Sequence, residues 1–324
     1  MAVVGAGLAG LSTARTLEEQ GYEVVVVDKA RGPGGRMATR RHEDWRFDHG
    51  AQYFTARDPQ FLQQVMAWCE SGHVEPWDGR IGVVENGRIA SAPAETERFV
   101  AVPGMSTIGR ALTKELADCR FGWRMRQAAF SKVGWRLEAA DGRTIEADAL
   151  VITTPPEQIK PLLADPELVA TVGQALHGLV MEPCWALMAV LDQPLLADWD
   201  AAFVNEGALG WVCNQAAKPG RPTAPAWVLH ATAEWSWAHL ETDAAQVSVS
   251  LLDAARILPG AANVQVEFAA AHRWRYSRAR KPLESGALWF EQQRLALAGD
   301  WCAGSRVEGA FLSGIAAARR INGR

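Results

Sequence analysis

The chain predicts an α/β fold, α+β overall, in which a Rossmann-like domain is joined to a second domain built on a mostly antiparallel β-sheet. Three observations predict it. The apolar run Ala2-Val3-Val4 leads into Gly5-Ala6-Gly7-Leu8-Ala9-Gly10, a segment of helical spacing, and then Val24-Val25-Val26-Val27-Asp28. Strand, Gly-rich turn, helix, strand and acid, in that order, make a nucleotide-binding βαβ unit. Two further runs, Ala147–Pro156 and Leu295–Asp300, read as a buried strand ending in Thr-Pro and a strand ending in Gly-Asp. Between about residues 159 and 285 the strand-like runs Cys184–Leu191, Ala226–Ala233 and Val264–His272 recur, interrupted by a helical pattern over Asp243–Arg256.

In the first unit Gly5 permits the tight turn, Gly7 lets backbone approach a pyrophosphate, and Gly10 lets helix and strand pack closely. The helix N-terminus, Ala9 included, offers unpaired N–H groups and a positive dipole end to phosphates. Asp28, eighteen residues after Gly10, is placed to bond the ribose hydroxyls of an adenosine. Phe47–Phe54 reads as loop turning into strand. Asp58-Pro59 caps a helix with apolar positions Phe61, Leu62, Val65, Met66 and Trp68. Short strands over Ile81–Ala92 turn at Asn86-Gly87. A helix is expected over Thr107–Leu116, then strands over Trp123–Phe130 and Gly134–Ala139 and a turn at Asp141-Gly142. The strand-like run Leu295–Asp300 ends in Gly299-Asp300, and a last helix starts near Glu308-Gly309-Ala310.

Composition excludes several classes. With 48% hydrophobic and 22% charged residues the chain is that of a globular protein large enough for two domains. A net charge of −4 and the lack of a basic tract argue against nucleic acid as a partner. Five scattered cysteines form no C-x-x-C pair, so neither a disulfide framework nor a zinc site is expected. No apolar run reaches a membrane span and no charged n-region precedes the Gly-rich turn, so a cytoplasmic protein off the membrane is expected. Only four residues precede Gly5, which leads us to expect that the first strand lacks a few residues. Oligomeric state is not legible. Fourteen tryptophans against three tyrosines favour either heavy core packing or an aromatic-lined pocket.

Several motifs resemble the FAD-dependent amine oxidase superfamily. Lys29-Ala30-Arg31-Gly32-Pro33-Gly34-Gly35-Arg36-Met37 is similar to its "GG" motif, Asp48-His49-Gly50-Ala51-Gln52-Tyr53 to the stretch that passes the flavin ring, and Gly299-Asp300 to its C-terminal motif. The resemblance implies a p-hydroxybenzoate hydroxylase/monoamine oxidase-like fold. It implies non-covalent FAD held by Gly5, Gly7, Ala9, Gly10, Asp28, Lys29, Gly35, Arg36, Gly50, Ala51, Gln52, Gly299, Asp300, Glu308, Gly309 and Ala310. Arg36 bonds phosphate oxygens in such proteins, and Asp300 a ribityl hydroxyl or phosphate. The implied division is 1–57, 96–158 and 286–324 for FAD, with 58–95 and 159–285 for substrate. Within the superfamily, His272-Arg273-Trp274-Arg275-Tyr276-Ser277 resembles a segment of the renalase family. Renalases oxidise isomeric dihydronicotinamide dinucleotides to NAD(P)+, with O2 reduced to hydrogen peroxide.

Two departures separate the chain from amine-oxidising members. The strand Met181–Leu187 carries no lysine of the kind that holds a water at the flavin, and Tyr22 (read as lying on the adenine side), Tyr53 and Tyr276 do not assemble an amine cage. Oxidising a dihydropyridine needs stacking and exclusion of water, not a general base. Gln52, Tyr53, His230, Trp274 and Tyr276 are therefore the candidate catalytic residues. Trp274 is either a pocket wall or a core residue, and His230 either a substrate contact or a satisfied core histidine. Arg275, Arg278, Arg280 and Lys281 either meet dinucleotide phosphates or form a solvated face. Trp235 and Trp237, read as one strand face, are weaker candidates. An amine oxidase and a non-catalytic flavin-binding protein are the competing readings.

Overall fold

The structure, a computed structural model, describes residues 1–93 and 96–323; residue 95, at the expected boundary, lies outside the described residues. A six-stranded sheet runs in the order Leu288–Phe290, Leu295–Leu297, Leu150–Ile152, Ala2–Val4, Val25–Asp28, Asp118–Phe121. All neighbours are parallel except the first two. From the central strand Ala2–Val4 the chain goes one way to Val25–Asp28 and later returns on the other side at Leu150–Ile152. The Gly-rich turn therefore sits at the switch point, where open α/β sheets bind ligands.

The helix Leu8–Glu19 is seated by contacts only glycine allows. A Cβ on Gly10 would fall 1.9 Å from the Gly5 carbonyl oxygen, and one on Gly314 would fall 2.3 Å from that of Ala9. The last helix, Val307–Ile321, crosses the first at that point, and Thr13 Oγ1 donates to the Gly314 carbonyl at 3.0 Å.

The second sheet has seven strands: Val266–Ala279, Met181–Leu191, Ala226–Ala231, Leu209–Asn214, Ala201–Val204, Ile81–Glu85, Arg88–Ser91. Only the pair Ala201–Val204 and Ile81–Glu85 is parallel. Met181–Leu191 is buried at every position but Cys184, which explains its apolar sequence from Pro183 onward. A three-stranded sheet, Met125–Ser131, Gly134–Ala139 and Thr144–Ala147, packs beside the first. The fold class is as the sequence predicts, a mixed α/β fold with a Rossmann-like domain.

Local signals behave as their chemistry requires. Asp58 caps Pro59–Glu70 by accepting from the Gln60 and Phe61 amides at 2.8 and 3.2 Å. Asn86 and Gly87 both take positive φ, as a two-residue hairpin demands. Four expectations need correction. Trp235 and Trp237 lie on the helix Ala233–Ala238, not a strand, because Thr232 Oγ1 caps it through the Trp235 amide. Leu62 and Met66 face solvent; only Phe61, Val65 and Trp68 turn inward. The segment His272–Ser277 lies within the strand Val266–Ala279, not at its end. Tyr22 does not line the ligand cleft; its hydroxyl donates to Asn322 Oδ1 at 2.5 Å, tying the turn after the first helix to the C-terminal turn. Among the described residues no helix is long and apolar enough to cross a membrane.

Gly314→Ala is expected to destabilise the protein by about 1–3 kcal/mol, since backbone stands where the methyl must go. Denaturant unfolding checks it, and a change below about 0.5 kcal/mol would show that the two helices separate freely.

Candidate active site

One cleft of 1910 Å³ runs along the switch point of the first sheet and under the strand Val266–Ala279. Pockets for one small ligand usually span about 300–1000 Å³, so this one has room for two. Its first end is lined by Gly5, Gly7, Ala9, Asp28, Lys29, Gly35 and Arg36, with Gly299, Asp300 and Ala310. Gly50, Ala51, Gln52 and Tyr53 line the middle, and His230, Trp274 and Tyr276 line the far end. Most of the site residues expected from sequence thus border one space.

The first end fits a dinucleotide. A Cβ on Gly7 would meet nothing within 4 Å, so backbone there faces open space, and the helix behind it has no side-chain cap on its N-terminus. Phosphate oxygens suit those free N–H groups. Asp28 is already engaged: Oδ2 accepts from the Ala6 amide and Oδ1 from the Ala30 amide, both at 2.7 Å. It ties the Gly-rich turn to the loop beyond the second strand, and each oxygen keeps one lone pair for a hydroxyl. Arg36 does not point free at a phosphate. Its guanidinium takes Asp300 through two bonds, at 3.0 and 2.6 Å, and donates to the Ser277 carbonyl at 2.8 Å. The expected phosphate ligand and ribityl ligand are therefore each other's partners, and the pair joins the cofactor end to the strand above it. Lys29 donates to Gln158 at 3.2 Å.

Glu308, Gly309 and Gly10 stand outside the cleft lining. Glu308 Oε1 accepts from the Arg57 and Asp58 amides at 2.6 and 2.7 Å, so it braces a loop. A Cβ on Gly309 would lie 2.4 Å from the Ala303 carbonyl oxygen, so this glycine serves packing.

The far end is aromatic. Trp274 Nε1 donates to the His49 carbonyl at 2.8 Å, and its ring stacks on His49 at 5.0 Å between centroids. His272 meets both edge-on, at 4.8 Å from His49 and 4.5 Å from Trp274. His230 Nε2 lies 3.1 Å from the same His49 carbonyl. Tyr53 sits between Trp77 and Trp211, at 5.9 and 5.6 Å. Burial pushes His49 and His230 down to about 4, so both are neutral near pH 7.

The lining carries nine cations (Lys29, Arg31, Arg36, Arg57, Arg124, Arg273, Arg275, Arg278, Arg306) against the acids Asp28, Glu157 and Asp300. Glu241, held by Arg273 and Arg275, and Glu182, held by Arg278 and Arg280, raise the acids only to five. Lys281 does not line the cleft.

Sequence reasoning missed two residues here. His49 organises Trp274 and His230 through its carbonyl, a backbone role no motif announces. Lys218 is fully buried, with Nζ 3.1 Å from Gln52 Oε1 and 3.4 Å from Asp48 Oδ2. A buried lysine therefore does stand behind this wall, although strand Met181–Leu191 has none. Gln52 is occupied at both ends of its amide: Oε1 accepts from Lys218 and Gln215, and Nε2 donates to the Asp48 carbonyl. Among the described residues no group of three or more His, Cys, Asp or Glu is placed to hold a metal.

Comparison with known proteins gives two family matches. Residues 3–68 match a family described as NAD(P)-binding Rossmann-like domain, and residues 87–322 one described as flavin containing amine oxidoreductase. The neurosporene-forming phytoene desaturase of Cereibacter sphaeroides is 40% identical over 67 residues, 21% of this chain and 12% of that protein. The methyl acetate-forming acetone monooxygenase of Gordonia sp. (strain TY-5) is 38% identical over 158 residues, 46% of this chain and 24% of that one. The aligned segments thus span at most a quarter of these two relatives. Putrescine oxidase, in a triple mutant redesigned for cofactor binding, superposes over 100% of this chain and 98% of its own with a TM-score of 0.77 at 13% identity. Its wild-type structure bound to putrescine gives 0.73 at 13% identity. At that identity the likeness speaks for the fold alone.

The histidines set a pH dependence. Their folded pKa lies below the unfolded value of 6.5, so between pH 6.5 and about 4 the unfolded chain binds more protons. Stability is expected to be full above pH 6.5 and to fall on acidification, with unfolding at pH 5 taking up about two extra protons. Denaturant titrations from pH 5 to 8 check it; stability unchanged across that range would show that His49 and His230 are not buried neutral.

Proposed function

Because the chain belongs to the flavin containing amine oxidoreductase family, we propose that it is an FAD-dependent oxidase of isomeric dihydronicotinamide dinucleotides, the renalase-type reaction. The substrates of this reading are 1,2- and/or 1,6-dihydro-NAD(P), the products NAD(P)+ and, from O2, hydrogen peroxide. The observation that carries it is the charge of the cleft: nine lining cations against five acids, in a chain of net charge −4, across a volume larger than one cofactor needs. A second dinucleotide brings the pyrophosphate that such a cleft attracts, whereas an ammonium substrate is repelled.

FAD, when bound, supplies the hydride acceptor and passes the electrons to O2. The chain's own residues orient and exclude water. Gly5, Gly7, Ala9 and Gly35 give backbone access to the phosphates, and Asp28 keeps the turn closed while offering its spare lone pairs to the ribose. Trp274, locked by its bond to the His49 carbonyl, walls the nicotinamide position, with Tyr276 beside it and Tyr53 opposite. Neutral His230 and His49 suit a product ring that becomes cationic, since they add no like charge. No proton leaves the substrate ring, so this chemistry needs no general base. The arginines of the strand Val266–Ala279 lie along the path of the pyrophosphate. In this reading 1–57, 96–158 and 286–324 serve the cofactor, and 58–95 and 159–285 the substrate.

Oxidation of a small amine is the second reading. Family membership and the aromatic pair Tyr53–Trp211, 5.6 Å apart, favour it.

Anaerobic mixing separates these readings. The flavin absorbance is expected to bleach rapidly with 1,2- or 1,6-dihydro-NAD and not with primary or secondary amines. Bleaching by amines alone would establish the second reading, and no bleaching by any donor would leave a flavin-binding protein without turnover. Trp274→Ala is expected to slow reduction at least about tenfold with FAD retained, a loss of about 1.4 kcal/mol in the transition state. An unchanged rate would remove Trp274 from the site. Asp28→Ala, which frees the Ala6 and Ala30 amides, is expected to weaken FAD about tenfold or more by fluorescence titration; full retention would undo its assigned part.

A further inference from the structure

A buried cluster behind the cleft wall is left over by the reading above. The side chains of Asp48, Lys218 and Arg221 are 0%, 0% and 1% exposed. Arg221 Nη2 holds Asp48 Oδ2 at 2.6 Å, and Lys218 Nζ lies 3.4 Å from that same oxygen. The other carboxylate oxygen accepts from Thr39 Oγ1 at 2.7 Å and from the Met105 amide at 2.9 Å. Two cations thus share one carboxylate, and the cluster carries one positive charge in excess.

The closest remaining partners of Lys218 are neutral: Gln52 Oε1 at 3.1 Å and Gln215 Oε1 at 3.2 Å. Burial pushes the nearby Cys213 thiol up to about 11, so no thiolate balances the charge. His230, on the same side, is neutral as well. An uncompensated ion far from water is costly, and removing one partner of such a group normally exposes that cost. The place where balancing charge can arrive is the cleft. Gln52 lines it, and Lys218 bonds the side chain of that residue. Over so short a path inside protein, little solvent intervenes to screen the charge.

We propose that Lys218 is a positioning residue that fixes Gln52 and sets its own excess positive charge behind the flavin ring, raising the reduction potential of the bound cofactor. A hydride brings two electrons and one proton to a neutral ring, which leaves the ring with one negative charge and the donor with one positive charge. With the ring along the His49–Tyr53 wall, that negative charge would stand opposite the cluster's single positive charge, and the two would sum to zero. Arg221 anchors Asp48, so that the carboxylate does not neutralise Lys218 outright. The inference rests on the ring lying along that wall, not on which donor reduces it.

The test needs no substrate. In the FAD-loaded protein the midpoint potential is measured by dye equilibration, and sulfite is titrated against the oxidised flavin as a probe that also leaves the ring negative. The wild-type potential is expected above that of free FAD in the same buffer; a value at or below it overturns the proposal whether or not any variant folds. Lys218→Met and Lys218→Gln are expected to weaken sulfite at least about tenfold and to lower the potential by about 30 mV per tenfold, the two-electron conversion. Lys218→Arg, which keeps the charge, is expected to restore both. Sulfite affinity within twofold of wild type in a folded, FAD-loaded Lys218→Met, or an equal fall in Lys218→Arg, would show that Lys218 serves packing alone. A protein that bleaches with amines and still shows these shifts would retain this inference while losing the substrate reading.

Discussion

The cofactor end of this molecule depends on one helix lying in direct backbone contact with its neighbours on two sides. Leu8–Glu19 meets the Gly5 carbonyl at Gly10 and the last helix at Ala9 and Gly314. No side chain intervenes at either contact, so the helix has nowhere to slide. Its N-terminus is therefore fixed over the switch point of the sheet, where the phosphates of a dinucleotide lie. The same device continues outward. A Cβ on Gly50 would fall 1.9 Å from the Arg36 carbonyl oxygen, and the Ala51 amide donates to that oxygen at 2.9 Å. Through Arg36 the Gly-rich loop thus positions the His49–Tyr53 wall, and through Asp300 and Ser277 it reaches the strand above.

Charge is distributed by a related logic. The strongest pairs lining the cleft are internal: Arg36 with Asp300, Arg278 with Glu182, and Arg273 and Arg275 with Glu241. The pairs on Glu241 are exposed and contribute little to stability, whereas Asp300 and Glu182 are largely buried. All of these pairs fix side-chain directions and leave an excess of positive charge facing the ligand space. Behind the wall, the buried group around Asp48 repeats the excess in a place water does not reach. Both the cleft lining and the buried group behind it thus carry more positive than negative charge.

Much of the fold was legible, for physical reasons that differ by element. The first βαβ unit announces itself because glycine is needed where backbone touches backbone. Asp58-Pro59 and Asn86-Gly87 are legible because caps and tight hairpins need particular residues. The strand Met181–Leu191 is legible through its apolar run Cys184–Leu191, a consequence of burial on both faces. Strands Ala201–Val204 and Leu209–Asn214 carry weak alternation and were not foreseen. Trp235 and Trp237 mislead because two aromatics at a spacing of two imitate a strand, while one capping threonine decides for a helix. At the site, most of the motif residues border one cleft, but Gly10, Glu308 and Gly309 do not, and the partners of the others were not legible. Nothing local tells that Arg36 would meet Asp300, 264 residues away, or that Lys218 would lie against Gln52. Such pairings belong to topology. One signal was available: Lys218 and Arg221 flank Pro219-Gly220 in a stretch otherwise poor in charge.

The sheet order has a consequence for how the molecule is made. Ala2–Val4 pairs with Leu150–Ile152, which in turn pairs with Leu295–Leu297. The helix that clamps the first one comes from residues 307–321. On a ribosome, Val25–Asp28 is made soon after Ala2–Val4, but the other side of the sheet waits for Leu150–Ile152 and, later still, for Leu295–Leu297. Contacts this distant along a chain form slowly, and strands kept waiting are exposed to wrong partners. The seven-stranded sheet draws its last strand from Val266–Ala279, and so is complete before the cofactor domain is. Closing the first sheet therefore brings in Asp300 and the last helix together, after every strand of the second sheet has been made. A dinucleotide that gathers the Gly-rich turn, Arg36 and Asp300 around itself would act at that step as a folding template.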